Sequence, residues 1–276
     1  MIEKIFHDID EDFWCETKYL NTVVEHLEKK LTEDYSIVIN SNLRTLPQTK
    51  YQKIVLLTGD ETFRLGMNPY PNDNVVAIFR IFNRNGTFDN NSIFPIPTGY
   101  NWTMHSDRTK KMVRMYPEKR LSERQYDISF IGQSLPWRKP IFDTLKILSN
   151  KFNIYHGMNN SFRTGLHIDE YYKLLGDTKI VLSPDGTTID CFRYVEAFGS
   201  GCIVITTKKD DIWYYRDSPT FFINSWSELN EDLINKILSM DIDDLYYKNL
   251  KYYNEKLSEE SVANYILDSL TKVSKL

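Results

Sequence analysis

The chain has 276 residues, 41% hydrophobic and 26% charged, with 34 basic against 38 acidic side chains and a formal net charge of −4. That balance excludes a disordered polymer, and the absence of any Lys/Arg block predicts no nucleic-acid partner, because phosphate backbones are held by electropositive faces. The length suits two domains.

In chain order, residues 17–32 have helical spacing, with Leu20, Val23, Val24, Leu27 and Leu31 on one face. Residues 36–40 read as a short strand, and the apolar runs at 53–58 and 74–80 as strands covered on both faces, as in a parallel sheet. Residues 83–117 are polar, Asn-rich and broken by Pro95, Pro97 and Pro117, so the domain crossover is placed there. The alternation restarts with strands at 126–132 and 152–156 and a helix at 140–149 between them. A helix at 169–175, a strand at 179–184, a helix at 192–200, and strands at 202–206 and 220–223 follow, with helical patterns from 226 to 272. This predicts a parallel, doubly wound sheet in each half. The expected domains are residues 1–120 on the acceptor side, 121–257 binding the nucleotide, and a segment 258–276 returning to the first domain.

Three cysteines, Cys15, Cys191 and Cys202, form no disulfide framework and have no zinc spacing. They point to a reducing, cytoplasmic setting. The acidic start lacks the basic-then-apolar pattern of a signal peptide, and no run reaches the ~18 apolar residues of a membrane span.

Residues 183–205 are a strand, a polar glycine-containing loop, a helix, a glycine and a second strand. Ligands of doubly wound sheets bind beyond the carboxyl ends of the strands, where Ser183, Pro184 and Gly186 fall. Backbone N–H groups there can meet a diphosphate. Arg193 adds a forked cation. Glu196 offers a carboxylate that accepts from the paired hydroxyls of a ribose. The alternative is an i,i+3 surface pair, worth only a few tenths of a kcal/mol.

Pro184-x-Gly186, then Arg193, Glu196-Ala197 and Gly201-Cys202-Ile203-x-Ile205, resembles the exostosin-type glycosyltransferases without a gap. Residues 172–182 resemble the stretch before that motif, and Phe130-Ile131-Gly132 followed by Arg138 resembles the family's opening Phe-x-Gly…Arg. Val204 departs from the family's usual Pro. The resemblance covers about 126–206. It implies a GT-B fold, two Rossmann-like α/β domains facing each other across a cleft, and a UDP-sugar donor, with inversion common. Carried over residue by residue, Glu196 holds the ribose, Arg193 and the loop at Gly186 face the pyrophosphate, and Gly132, Gln133 and Arg138 border the donor. Arg138 is alternatively a solvated charge at a helix start. His156, at the end of a strand, is either near the base or merely structural.

Transfer by displacement at the anomeric carbon needs a base on the acceptor hydroxyl and cationic donors on the leaving diphosphate. The base is expected from the first domain. Asp60 and Glu61 follow the run 53–58, with Asp60 placed first and turn chemistry as its alternative. Arg64, Arg80 and His105 are secondary cleft candidates. No Asp-x-Asp ends a first-domain strand, and Asp10-Glu11-Asp12 and the acids of 241–244 read as surface clusters or caps. Metal ligands are therefore expected to be none, with no cofactor beyond the co-substrate. Trp213 and Tyr214 are read as stacking on a sugar or filling the core. The expected partners are a nucleotide-sugar and a glycan acceptor, with xylose the first guess for the sugar. A nucleotide-sugar epimerase and a catalytically inactive nucleotide- or glycan-binding module are the alternatives.

Overall fold

The computed structural model describes residues 2–7, 9, 16–41, 44–61, 65–66, 69–71, 73–81, 93–101, 119–160, 165–209 and 212–273. Arg64, His105, Cys15, the acids at 10–12 and most of the 83–117 crossover lie outside them.

The first sheet holds β1 (Ile2–His7), β2 (Tyr35–Asn40), β3 (Lys53–Leu57), β4 (Val75–Arg80) and β5 (Ile93–Pro95). All neighbours pair in parallel, in the order β1-β2-β3-β4-β5. Strand alternation divides its apolar residues between two layers. Ile37, Ile39, Ile54, Leu56 and Phe79 meet Leu20, Val23, Val24 and Leu27 of helix α1 (Thr17–Glu28). Val38, Val55, Leu57 and Ile78 form a smaller core with Leu46, Tyr70 and Ile93. The sheet is not doubly wound as expected, because each strand is added on the same side of the last. A doubly wound sheet needs the chain to reverse direction across the sheet, and no reversal occurs among the described strands.

The second sheet does reverse. Its strands are β6 (Tyr126–Gln133), β7 (Ile154–Asn159), β8 (Thr178–Leu182), β9 (Ile203–Thr207) and β10 (Phe221–Ile223), in the order β10-β9-β8-β6-β7 and all parallel. The chain leaves β6 toward β7 on one side, then returns to place β8 on the other. That switch opens a crevice beyond the carboxyl ends of β6 and β8. Helices α2 (Lys139–Leu148), α3 (Ile168–Gly176) and α4 (Phe192–Gly199) connect the strands. In α2, Ile141, Phe142, Leu145 and Leu148 are buried against the sheet, matching their 3,4-spacing. Glu170 accepts from the backbone N–H of His167, which closes the start of α3. Gly201 ends α4 at φ 68°, and a Cβ there would come within 2.5 Å of the Tyr246 ring.

Helices α5 (Glu231–Leu238), α6 (Ile242–Tyr252) and α7 (Glu259–Val273) complete the chain. Asp241 caps α6 by accepting from the Asp244 N–H, 3.0 Å. Helix α7 leaves the second sheet and packs on α1, placing Val262, Ala263, Ile266 and Leu270 in the first core. Burying each large aliphatic chain contributes about 1.5–3 kcal/mol. Gly99, at φ 74°, lets the segment after β5 pass over Tyr19, where a Cβ would clash with the ring. The Tyr19 hydroxyl then donates to the Leu257 carbonyl, 2.8 Å, tying the halves together. No helix among the described residues is long and apolar enough to cross a membrane.

Candidate functional site

A cleft of about 420 Å³ occupies the crevice at the β6/β8 switch and is closed from the first half by Glu61 and Asn101. The end of β6 supplies Gly132 and Gln133, and the segment after it Leu135 and Arg138. The segment after β8 supplies Gly186, Thr187, Asp190, Cys191, Arg193 and Glu196. Helix α3 and the loop before it add Leu166, Ile168 and Tyr171.

Two guanidinium groups converge beside Gly132. A Cβ on that residue would lie 3.3 Å from Arg138 Nη1 and 3.4 Å from Arg193 Nη2. The glycine thus leaves room for two cations. Arg138 is 6% exposed and donates through Nε and Nη2 to the Asp185 carbonyl, 3.2 and 2.8 Å. Burial, and then the Arg193 charge, pull the Arg138 guanidinium down to about 10. Arg193 lies over the Phe130 ring, 4.9 Å to its centre, and its Nη2 donates to the Ile131 carbonyl. Its Nε is buried and has no hydrogen-bond partner among the described residues. A buried unmade donor costs about 1–3 kcal/mol.

Glu196 sits at the floor, 2% exposed. Its Oε1 accepts from the Asn101 backbone N–H at 2.9 Å and from the Tyr172 hydroxyl at 3.5 Å, and its Oε2 from the Tyr171 hydroxyl at 2.8 Å. Burial pushes the carboxyl above the usual glutamate value, against the pull of those donors and of Arg193. Burial and the Glu196 charge push the Tyr171 phenol well up, so it stays a donor. A carboxylate has about four lone-pair sites, so room remains for one further donor beside the three in place.

The 183–191 loop is held rigid from behind. Asp190 accepts from Tyr214 with both oxygens at 2.9 Å, and from Tyr215 at 2.7 Å. Ser183 is buried and its N–H joins the Ile205 carbonyl at 2.9 Å. Ser183 and Pro184 therefore shape the loop from beneath and do not line the cleft. His156 lies on β7 opposite Phe130 and also lies outside the lining. Neither Trp213 nor Tyr214 faces the cleft. Trp213 donates to the Pro95 carbonyl at 2.8 Å and stacks on Tyr265 at 4.1 Å, a clasp between the halves.

The two neighbouring acids, Asp60 and Glu61, have different surroundings. Asp60 is 4% exposed and pairs with Arg80 at 2.5 Å, while accepting from the Leu65 N–H at 3.2 Å. It does not line the cleft, and neither does Arg80. Glu61 lines the cleft, bonds to the Thr187 hydroxyl across it, and is pushed above the usual glutamate value by burial. Among the described residues no cluster of three or more His, Cys, Asp or Glu is arranged to hold a metal.

The loop from 186 to 196 was visible in sequence because its residues are contiguous. Asn101 and Tyr171 carried no such signal. Asn101 acts through its backbone, and Tyr171 is one aromatic among 18 tyrosines.

No family model matches the sequence, and no curated protein matches it. Solved structures do. TarM is 14% identical, with TM-score 0.50, over 90% of this chain and 57% of that one. A GtfA/B complex is 11% identical, with TM-score 0.50, over 94% of this chain and 61% of that one. An α-glucosyltransferase in complex with UDP and a 13-mer DNA containing a central A:G mismatch is 9% identical, with TM-score 0.53, over 98% of both chains. At these identities the likeness is of fold: the chain has the two-sheet α/β architecture of GT-B glycosyltransferases. It spans less than two thirds of the TarM and GtfA/B chains.

Proposed function

We propose that the chain is a glycosyltransferase that binds a UDP-sugar in the cleft and passes the sugar to a glycan hydroxyl, with inversion at the anomeric carbon. The paired guanidinium groups of Arg138 and Arg193 carry this reading. Two cations held together repel, and a diphosphate is the ligand class that turns the repulsion into attraction. Glu196 accepts a ribose hydroxyl with its remaining lone pair, and Leu135, Leu166 and Ile168 offer an apolar wall to the base. UDP in the α-glucosyltransferase neighbour supports this choice of nucleotide. The proposed acceptor is a neutral glycan hydroxyl, which the net charge of −4 favours over the phosphate backbone of DNA.

Glu61 is the proposed base in preference to Asp60, because it alone of the two lines the cleft. It takes the acceptor's proton as the hydroxyl oxygen bonds to the anomeric carbon. The sugar–oxygen bond to the diphosphate breaks, and the two guanidinium groups take up the charge left on the phosphate. That charge compensation is why transfer is proposed to need no metal. The motif favours exostosin-type relatives, with xylose the first sugar to test. Residues 1–120 form the acceptor side, 121–257 the donor side and 258–276 the returning segment. The thiols of Cys191 and Cys202 are free, which suits a reducing, cytoplasmic setting.

A thermal-shift panel of nucleotide-sugars tests the reading. Ligand at 100 times its dissociation constant adds about 2.7 kcal/mol, so UDP-sugars should raise the melting temperature. Sugar should then appear on an acceptor in the presence of excess chelator. No shift with any nucleotide-sugar ends the proposal, and strict Mn²⁺ dependence ends its metal-free part.

A further inference from the structure

Behind the donor cleft, on the other side of the 184–190 loop, lies an open groove of about 560 Å³. Its lining includes Trp137, Trp226, Thr187, Thr188, Thr207 and Asp185. The sheet order explains the gathering. Trp137 follows β6, the loop follows β8, Thr207 ends β9 and Trp226 follows β10. The groove thus collects the carboxyl ends of four parallel strands, the side on which such sheets bind ligands.

Trp137 is 51% exposed although it sits in a short 3-10 turn fixed on both sides. Its neighbour Arg138 is anchored to the Asp185 carbonyl, so the indole is presented from a rigid base. The exposure leaves a large apolar surface in water at the groove. Asp185 is charge-compensated: Oδ1 takes the buried Lys209 ammonium and, at 3.4 Å, the Thr207 hydroxyl. Its side chain remains 41% exposed, and Oδ2 makes no hydrogen bond among the described residues. The groove therefore combines two indoles, the Thr207 hydroxyl and a charge-compensated carboxylate, while the Thr187 and Thr188 hydroxyls are engaged by Glu61 and the Asp190 carbonyl. This lining disfavours a bare anion or cation. It suits a neutral molecule with one apolar face and a rim of hydroxyls, which is a pyranose ring. Indoles take the C–H face, and Thr and Asp oxygens take the rim.

We propose that this groove is a second carbohydrate site, which holds a pyranose of a glycan chain independently of the nucleotide. It shares Gly186, Thr187 and Thr188 with the donor cleft as a common wall, so the two ligands bind back to back.

The test uses maltotriose, cellotriose, mannotriose and N-acetylchitotriose as probes in saturation-transfer NMR. Each is titrated to about 10 mM, ten times the ~1 mM of a weak site. At least one should bind the wild type. Trp137→Ala should weaken it by about tenfold or more, since it removes a stacking face, and Trp137→Phe should restore most of the loss. The UDP-induced thermal shift should be the same in all three proteins, which also shows that the variants fold. The proposal is overturned if no trisaccharide binds, if Trp137→Ala binds as well as wild type, or if UDP displaces the trisaccharide. A missing UDP shift in the wild type would defeat the donor assignment alone and leave the groove result readable.

Discussion

Replacing Arg193 by Lys keeps the charge and removes the fork. The wild-type guanidinium spends Nη2 on the Ile131 carbonyl and leaves Nε buried without a partner among the described residues. In the folded protein without ligand, that Nε is a cost, and the substitution removes it. Loss of the Ile131 bond and of part of the contact with Phe130 works in the opposite direction, so the net change in stability should be small, within about 1 kcal/mol. Ligand binding behaves differently. A diphosphate oxygen gains a charge-assisted hydrogen bond from the guanidinium fork worth about 1.5–3 kcal/mol, which an ammonium group in its place cannot supply with the same geometry. Since each 1.4 kcal/mol is about tenfold, the dissociation constant for UDP should rise by about ten- to a hundredfold. Isothermal titration with UDP measures this, and chemical denaturation measures the stability of the same samples. If the variant binds UDP within about twofold of wild type while remaining folded, the guanidinium pair is not the diphosphate socket.

Glu61→Gln should abolish transfer while leaving UDP affinity nearly unchanged, as read by single-turnover kinetics beside titration. In the wild type the base works only when ionised, and burial pushes its carboxyl above the usual glutamate value, so it holds its proton to higher pH. The rate should therefore fall on acidification at a pH above the ordinary carboxylate range. For Glu196 the folded carboxyl also lies above its unfolded value. Its contribution is complete below the unfolded value and is lost as pH rises through the folded one. Glu196→Gln should thus be relatively more stable than wild type above that window, with a flatter pH dependence in denaturant melts, and should bind UDP more weakly. Ile266→Ala should cost about 2–5 kcal/mol in the same melts, because that side chain is fully buried where α7 meets α1.

The fold was legible where burial is two-sided. The runs at 53–57 and 75–80 are continuous in apolar residues because helices or loops cover both faces of the sheet. β1 escaped notice because it is an edge strand, half-buried along its length, with Glu3 and Lys4 breaking the alternation. β5 is three residues long and ends in Pro95. The straight order of the first sheet was hidden for a different reason. Alternating strands and helices say that neighbours are parallel, and nothing local says on which side each new strand is added. The same division holds in the site. Arg193 and Glu196 share a helix, so their spacing places them together. Asp60 and Glu61 are adjacent and chemically alike, and only the turn after β3 decides which one meets Arg80 and which one enters the cleft.

The bond from position 101 to Glu196 comes from the main chain, not from the asparagine side chain. Any residue with an amide hydrogen carries the donor for this link between the lobes, whereas proline, which has no such hydrogen, cuts it.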